Sequence, residues 1–164
     1  MKKFTDYLLK HIFIRIIGIL KYISYLPFVD VILLRSWCYK FVLKKVGKNF
    51  RVTDNVTIIS PEYLEIGDNV SIHENSLLAC QGGLIIGDYS ALGSSLIIST
   101  SEHKNANLNK PIKSQGILEE KVSIGRNVWI GARVTILKGT IIGDDAIIGA
   151  GSLVNKNVLE KTVV

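Results

Sequence analysis

Three histidines are the residues of this sequence best suited to proton transfer near neutral pH. His11 lies near the N-terminus, His73 lies mid-chain, and His103 stands at the start of a long segment that departs from the regular pattern around it. An unperturbed imidazole has a pKa of about 6.5, so the side chain is mostly neutral at pH 7 and can take a proton from a hydroxyl. His103 is therefore a candidate general base. His73 is either a substrate contact or a solvated turn residue, and we expect no role for His11.

Other catalytic and metal-binding patterns are missing from the sequence. Cys38 and Cys80 lie far apart, outside any CxxC motif or Cys/His spacing typical of zinc sites, so we expect free thiols in a reducing, cytoplasmic setting and no metal. A GxSxG motif and a recognisable pair of carboxylates are also absent, which favours a reaction that passes through no covalent enzyme intermediate. The glycines of GAGSLVNK follow a period of six and need no phosphate loop to explain them.

An aliphatic residue recurs every six positions through most of the chain. Fifteen positions follow this rule, and all are Val, Ile or Leu: Val46, Val52, Ile58, Ile66, Ile72, Leu78, Ile86, Leu92, Ile98, Ile124, Ile130, Ile136, Ile142, Ile148 and Val154. A glycine follows eight of them, where we expect the backbone to turn between short strands. An α-helix returns its apolar face every three to four residues, so it cannot produce this period. A solenoid with three short strands per coil around a triangular core can.

Three interruptions of the six-residue step fall at the same corner of the predicted coil. The steps after Ile58 and Leu78 are eight residues long, and the step from Ile98 to Ile124 is twenty-six. Because three blocks make one coil, these insertions stack on successive coils and decorate one edge, with a long loop over residues 102–122. The periodicity does not give the hand of the solenoid, since crossover statistics alone favour right-handed connections.

Residues 1–45 differ in composition from the solenoid that follows. The first 51 residues carry eleven Lys and Arg against two Asp, a net +9, whereas residues 52–164 carry nine against twelve acidic residues, a net −3. The apolar spacing predicts an amphipathic helix over residues 4–23 and a second helix over 31–45 that ends at Gly47. Lysines and an arginine interrupt the first helix, so we expect no transmembrane span.

Two interpretations of this basic leader stay open. Both helices pack on the body or on a neighbouring subunit, or residues 1–26 attach peripherally to the anionic inner face of the cell membrane. Nucleic acid is not an expected partner, because the sequence contains no zinc-finger, helix-turn-helix or RNP-like motif.

The segment GRNVWIGARVTILKGTIIGDDAIIGAGSLVNKNV, residues 125–158, closely resembles the hexapeptide-repeat acyltransferases. The resemblance is to the galactoside/maltose acetyltransferase group and to O-acetyltransferases of bacterial surface polysaccharides. It rests on the repeat, on SEH at 101–103, and on the later VWIG and IGAGSLVNK motifs. It implies an all-β domain over residues 46–164, a left-handed parallel β-helix with one protruding loop and a helical appendage over 1–45. It also implies a homotrimer that binds acetyl-CoA in clefts between subunits.

Carried over position by position, the resemblance makes His103 the general base. Glu102 or a backbone carbonyl would orient its imidazole, and a backbone N–H of Gly131 or Ala132 would stabilise the oxyanion. Six residues would line the acetyl-CoA cleft: Trp129, Gly131, Ala132, Ala150, Gly151 and Lys156. Two would contact the acceptor, at positions where relatives carry Asn and Asp: His73 and Gln81. These two departures prevent the transfer of any particular sugar.

The expected function is therefore O-acetylation of a saccharide hydroxyl, on a surface polysaccharide or its precursor, with acetyl-CoA as the donor. Two alternatives stay open: N-acetylation of a nucleotide-linked amino sugar, and a non-catalytic scaffold. The scaffold is favoured by one departure, because relatives continue with a segment resembling AGxPAK where this sequence stops at Val164.

Overall fold

A computed structural model describes residues 2–20 and 31–164 of the chain. Two helices, α1 (Lys2–Leu20) and α2 (Val31–Tyr39), precede the strands. The strands of the described part are β1 (Lys45–Val46), β2 (Arg51–Val52), β3 (Thr57–Ile59), β4 (Leu64–Ile66), β5 (Ser71–Ile72), β6 (Leu77–Ala79), β7 (Leu84–Ile86), β8 (Ala91–Leu92), β9 (Ile97–Ser99), β10 (Ser101–His103), β11 (Ile117–Glu119), β12 (Val122–Ile124), β13 (Trp129–Ile130), β14 (Thr135–Ile136), β15 (Ile141–Ile142), β16 (Ile147–Ile148) and β17 (Leu153–Val154). Single 3₁₀ turns lie at Pro61–Tyr63 and Ile112–Ser114.

Three parallel sheets form the sides of a triangular solenoid. The first sheet has the strand order β1-β4-β7-β12-β15, the second has the order β2-β5-β8-β13-β16, and the third has the order β3-β6-β9-β14-β17. Each sheet takes every third strand, so three successive strands make one coil and the chain winds through five full coils. Val158 and Val163 then bridge in parallel to Ile142 and Ile147 and begin a sixth. The predicted parallel solenoid is confirmed, and β10 and β11 stand apart as an antiparallel hairpin.

The hydrophobic core is the inside of the triangle, and the six-residue repeat fills it. Thirteen of the fifteen aliphatic positions are buried, while Val46 and Ile58 in the first coil are only partly buried. The smaller residue four places later is buried as well at most repeats, as at Val128 and Thr140. The long and short inward side chains therefore share the narrow interior as the sequence predicts.

The glycines after the aliphatic positions serve close stacking of coils. A Cβ on Gly87 would lie 2.6 Å from the carbonyl carbon of Gly125, and one on Gly131 would lie 2.6 Å from the backbone nitrogen of Ala150. Neither glycine has a positive φ; the left-handed positions come two residues later, at Tyr89 and Arg133. The expected glycine positions are correct, but the reason is contact with the next coil and not the turn itself.

The three edges of the prism carry different residues, and we name them accordingly. The aspartate edge joins the first and second sheets and carries Asp68, Asp88 and Asp144. The alanine edge joins the second and third sheets and carries Ala132 and Ala150. The hairpin edge joins the third sheet back to the first and contains all the insertions, including the β10–β11 hairpin.

The second helix is shorter than predicted. It ends at Tyr39, and Lys45, expected to be helical, is the first residue of β1 and pairs with Glu65. Val42 and Leu43 between them are buried in the core, so the chain has already turned into the first coil. The expected helix end at Gly47 is therefore wrong, and this glycine belongs to the aspartate edge.

Arg35 fastens the helices to the first coil. Its side chain is 1% exposed and forms an ion pair of 2.9 Å with Asp54. Its guanidinium also donates hydrogen bonds to the carbonyl oxygens of Thr53, at 2.5 Å, and Leu20, at 3.2 Å. Ile17 and Leu20 at the end of α1 are buried, while Leu8, earlier in the helix, is half exposed.

The leader is thus anchored at α2 and at the C-terminal end of α1. This supports packing on the body over membrane attachment as its role, although residues 21–26 lie outside the described part of the chain. Within the described ranges, no helix has the length and apolar character to cross a bilayer. The division of the chain into units 1–45 and 46–164 stays a prediction.

Candidate active site

His103 lies on the hairpin that projects from the hairpin edge. The hairpin has three residue pairs, Ser101 with Glu119, Glu102 with Leu118, and His103 with Ile117. Both Glu102 and His103 are exposed, as is most of the connecting segment. The sequence placed the loop correctly but did not predict that its two ends would pair.

The base of the hairpin is held against the coil above it. The Thr100 hydroxyl accepts a hydrogen bond from the Gly82 N–H at 2.8 Å and donates to the Ala79 carbonyl at 2.8 Å. The Glu120 N–H closes the hairpin on the Thr100 carbonyl at 3.0 Å. A Cβ on Gly82 would lie 2.8 Å from the Glu120 nitrogen, so this glycine lets the hairpin base approach.

The two faces of the hairpin carry different side chains, because side chains alternate along a strand. Glu102 and Glu120 both reach Lys138 on the next coil, at 3.1 and 3.4 Å. His103 lies on the opposite face, which it shares with Glu119. Of the two groups expected to orient the imidazole, Glu102 is therefore on the wrong face, the backbone carbonyl stays a prediction, and Glu119 is the acidic side chain on the same face as His103.

A cavity of about 440 Å³ lies beside this second face. Glu119, Gln81, Tyr63 and Lys121 are among its lining residues. Gln81 Oε1 is buried and has no hydrogen-bond partner among the described residues, so it is available to accept a hydrogen bond from a hydroxyl or amide. Gln81, a predicted acceptor contact, is thus on the same edge as His103. Glu119, which lines the same cavity as Gln81, was not predicted from the sequence.

The alanine edge brings together most of the predicted cofactor residues. Gly131 and Ala132 lie on the fourth coil, directly above Ala150 and Gly151 on the fifth. The Gly131 N–H donates to the Ile148 carbonyl at 2.8 Å and is therefore committed to the coil ladder. Of the two expected oxyanion donors, Gly131 is excluded on this ground and Ala132 is not.

The N–H groups next to these glycines are capped at one edge and open at another. On the aspartate edge, the N–H groups of Lys48, Asp68 and Arg126 each donate to the carboxylate of an Asp on the coil below, all at 2.7 Å. On the alanine edge the equivalent donors are the N–H groups of Ser94 and Ala132. The residues below them are Ala132 and Ala150, whose methyl groups are not acceptors.

Two adjacent backbone donors, those of Ser94 and Ala132, therefore lie open on the alanine edge within the described structure. Successive coils are about 4.8 Å apart, so the two N–H groups form a short row parallel to the axis of the solenoid. The sequence analysis did not predict this row. The sign of it in the sequence is that Ala132 and Ala150 stand at the repeat positions where the aspartate edge has Asp.

His73 lies on the same edge, two coils above Gly131. Its Nδ1 is 3.9 Å from Glu74, whose carboxylate accepts a hydrogen bond from the Ser94 hydroxyl at 2.5 Å. The hydrogen bond from Ser94 is the main cause that lowers the pKa of Glu74, so this carboxylate is anionic at neutral pH. His73 is half exposed and lies apart from Gln81, the other predicted acceptor contact.

The remaining two cofactor residues are placed differently. Trp129 points outward from the second sheet, between Ala91 above and Ile147 below, and is 59% exposed. It is two residues before Gly131 and so borders the alanine edge. Lys156 follows β17 and lies on the hairpin edge, away from the other five residues.

One copy of the chain does not bring the two halves of the predicted site together. His103 and Gln81 lie on the hairpin edge, and Ala132 lies on the alanine edge, with the third sheet between them. The five residues 133–137 cross this sheet, and at about 3.3 Å per residue the separation is roughly 15 Å. A proton transfer needs about 3 Å, so a complete site would need the second half from another copy.

Comparison with known proteins identifies the architecture. Residues 121–156 match the family described as "Bacterial transferase hexapeptide (six repeats)". The repeat of this chain is the bacterial transferase hexapeptide. Galactoside O-acetyltransferase of Escherichia coli K12 is 34% identical over 113 residues, which cover 69% of this chain and 45% of that protein. The putative lipopolysaccharide biosynthesis O-acetyl transferase WbbJ of the same strain is 34% identical over 104 residues, covering 59% and 53%.

The solved structures of this family extend the match to the whole fold. A galactoside acetyltransferase in complex with coenzyme A superposes with a TM-score of 0.77 at 26% identity, covering 99% of this chain and 74% of that one. A solenoid of the opposite hand would not superpose in this way, so the left-handed parallel β-helix implied by the resemblance is confirmed. The chain spans about half the length of the two Escherichia coli proteins.

Proposed function

We propose that the protein is an acetyl-CoA-dependent O-acetyltransferase that acts on a hydroxyl of a saccharide. The observation that carries the proposal is the open pair of N–H donors at Ser94 and Ala132. In this hexapeptide-repeat chain the pair lies beside Trp129, on an edge where only alanine methyl groups stand in the way. A slender acyl carrier that offers amide carbonyls fits such a row.

In this proposal the pantetheine arm of acetyl-CoA lies along the alanine edge. One of its amide carbonyls accepts a hydrogen bond from the Ser94 N–H, which leaves the Ala132 N–H for the reacting carbonyl, and the indole of Trp129 packs on the arm from the second sheet. Ala150 and Gly151 leave room for it on the fifth coil. Lys156 lies on the other edge and would reach the CoA phosphates only from a neighbouring copy.

The transfer itself is a single displacement. The neutral imidazole of His103 takes the proton of the acceptor hydroxyl as its oxygen attacks the thioester carbonyl carbon. The carbon–sulfur bond then breaks, the acetyl ester forms, and the imidazolium returns the proton to the CoA thiolate. The carbonyl oxygen gains negative charge in between, and the Ala132 N–H is the donor we assign to it because the Gly131 N–H is already bonded.

The acceptor would enter from the cavity beside Gln81. Its lining mixes donors and acceptors, with Tyr63, Gln81, Glu119 and Lys121 all polar, and a saccharide presents hydroxyls that can serve as both. The unpaired Gln81 Oε1 would accept a hydrogen bond from one of them. His73, on the other edge, could reach the same acceptor only from a second copy.

The separation of the two edges supports a site shared between copies, and we propose the homotrimer of the family. In a closed ring each copy contacts its neighbour through different surfaces, so the hairpin edge of one copy can face the alanine edge of the next. Ile59, Ile97 and Leu153 lie exposed on the third sheet between these edges and provide apolar area for the contact. We place this assembly in the cytoplasm, where acetyl-CoA would be available.

The proposal is tested by release of the CoA thiol from acetyl-CoA with a panel of sugars, nucleotide sugars and polysaccharides. We expect turnover with at least one saccharide, and a loss of about 10²- to 10⁴-fold in kcat for His103→Ala. A variant that keeps most of its activity would instead favour an amine acceptor, which is already nucleophilic.

The carrier row is tested separately by Ala132→Asp. This change copies the caps of the aspartate edge, so we expect the Ser94 N–H to be capped, the fold to be kept and the thermal shift on adding CoA to disappear. Lys113→Met on the exposed loop is the control. Unchanged CoA binding by Ala132→Asp would refute the role of the row.

A further inference from the structure

Lys138 occupies a distinctive place beneath the catalytic hairpin. It follows β14 on the fourth coil, and its side chain is only 13% exposed, whereas its two carboxylate partners, Glu102 and Glu120, are about half exposed. The hydrogen bond with Glu102 is the main cause that raises the pKa of the Lys138 amine, and the one with Glu120 adds to it. The cation is therefore retained at neutral pH, and it joins both strands of the hairpin to the coil below.

The hairpin needs such a tie because it is small. It has three residue pairs, and a two-stranded hairpin of this size is marginal by itself in water. Thr100 fixes its base to the coil above, whereas Glu102 lies within the hairpin, opposite Leu118. The ion pairs of Lys138 hold one face, the face of Glu102 and Glu120, against the coil below.

Holding this face determines where the other one points. His103 and Glu119 lie on the opposite face, and Glu119 lines the cavity that contains Gln81. A hairpin released from Lys138 could rotate or lean, and the face that carries His103 and Glu119 would then turn relative to the cavity. A displacement of about 1 Å in a reacting group can cost about 100-fold in rate.

We propose that Lys138 is a positioning residue that clamps the hairpin by its acidic face and so presents the imidazole of His103 to the acceptor cavity. The inference rests on the proposed role of His103 as the base. It assigns to this lysine no contact with substrate or CoA. Its effect on the reaction therefore passes entirely through His103, and this makes it separable from a role in folding or binding.

A double-mutant cycle tests this route. We expect Lys138→Met to lower kcat by roughly 10- to 100-fold while the KM for acetyl-CoA stays within about twofold. In the His103→Ala background, where the positioned group is missing, the same change should have almost no further effect. Lys138→Arg, which can bind both carboxylates, should restore most of the activity. The control is Lys113→Met, since exposed Lys113 forms no ion pair in the described structure.

Three results would overturn the inference. A kcat of Lys138→Met within twofold of the parent would show that no clamp is needed. A full additional loss in the His103→Ala background would show that Lys138 acts by another route. A rise in the KM for acetyl-CoA with unchanged kcat would place it in binding. If His103→Ala itself keeps full activity, the proposed function fails instead, so the two failures are distinguishable.

Discussion

Replacing Arg35 by Met should destabilise the protein strongly without touching the candidate site. The guanidinium is 1% exposed and bonds to Asp54 and to the carbonyl oxygens of Thr53 and Leu20. Methionine fills much of the same volume but has no donor, so the ion pair and the hydrogen bonds of the guanidinium are lost. The two helices and the first coil meet at this side chain, and their contact should weaken first.

The size of the loss follows from how far each partner can recover. Breaking a fully buried ion pair costs about 3–5 kcal/mol because a charge is left buried, but the Asp54 carboxylate is 55% exposed and can return to water. The remaining cost is that of the two hydrogen bonds that the guanidinium donates to the carbonyls of Thr53 and Leu20, at about 1.5–3 kcal/mol for a hydrogen bond to a charged group. We therefore expect the free energy of unfolding to fall by about 3 kcal/mol, at the lower end of the range for buried pairs.

Urea unfolding followed by circular dichroism measures this change. Arg51→Met, at an exposed position of β2, is the matched control and should change the free energy of unfolding by less than about 0.5 kcal/mol. Acetyl transfer by Arg35→Met should match the parent at temperatures where both are folded. A loss below about 1 kcal/mol for Arg35→Met, similar to that of an exposed pair, would refute the view that this residue anchors the helices.

Three further outcomes are expected. Coexpressed His103→Ala and Ala132→Asp chains, each inactive alone, should recover activity at about one quarter of the sites if each site combines two copies; no recovery in the thiol-release assay would place the whole site in one chain. Gly131→Ala should lower the free energy of unfolding by about 1–3 kcal/mol, and with it the melting temperature, because its Cβ would lie 2.6 Å from the Ala150 nitrogen. An unchanged melting temperature would contradict the close stacking. Burial, foremost, raises the pKa of Cys80 to about 12, so native protein at pH 8 should react with a thiol reagent at this residue only after urea is added, and prompt labelling in mass spectrometry would contradict it.

The solenoid could be predicted almost completely from the sequence because its physics is local and repeated. An inward aliphatic at every sixth residue is a direct record of three short strands per coil, and the three insertions identified the decorated edge before any contact was known. The second helix was extended too far because residues 40–45 are apolar and basic at a helical spacing. The strand pairing of Lys45 with Glu65 is a contact across the coils that helical spacing does not show.

The site was predicted less well, because its geometry depends on pairs of residues far apart in sequence. His103 and Gln81 do lie on one edge, as the common corner of the insertions implied. Adjacency makes Glu102 one of two candidates to orient His103, beside a backbone carbonyl, whereas strand alternation turns its side chain to the other face. The N–H of Gly131 is likewise taken by the carbonyl of Ile148 on the next coil, a contact that the residues next to Gly131 do not show.

The contact between α2 and the first coil also affects how copies of the solenoid can associate. The Val52 N–H points away from the second coil, and the hydroxyl of Ser36 accepts its hydrogen bond at 3.1 Å; Arg35 satisfies the neighbouring carbonyl of Thr53. A helix thus supplies the bonds that one more coil would have made. An exposed strand edge is a template for joining another chain, so α2 protects the edge of β2 against end-to-end pairing with a second copy.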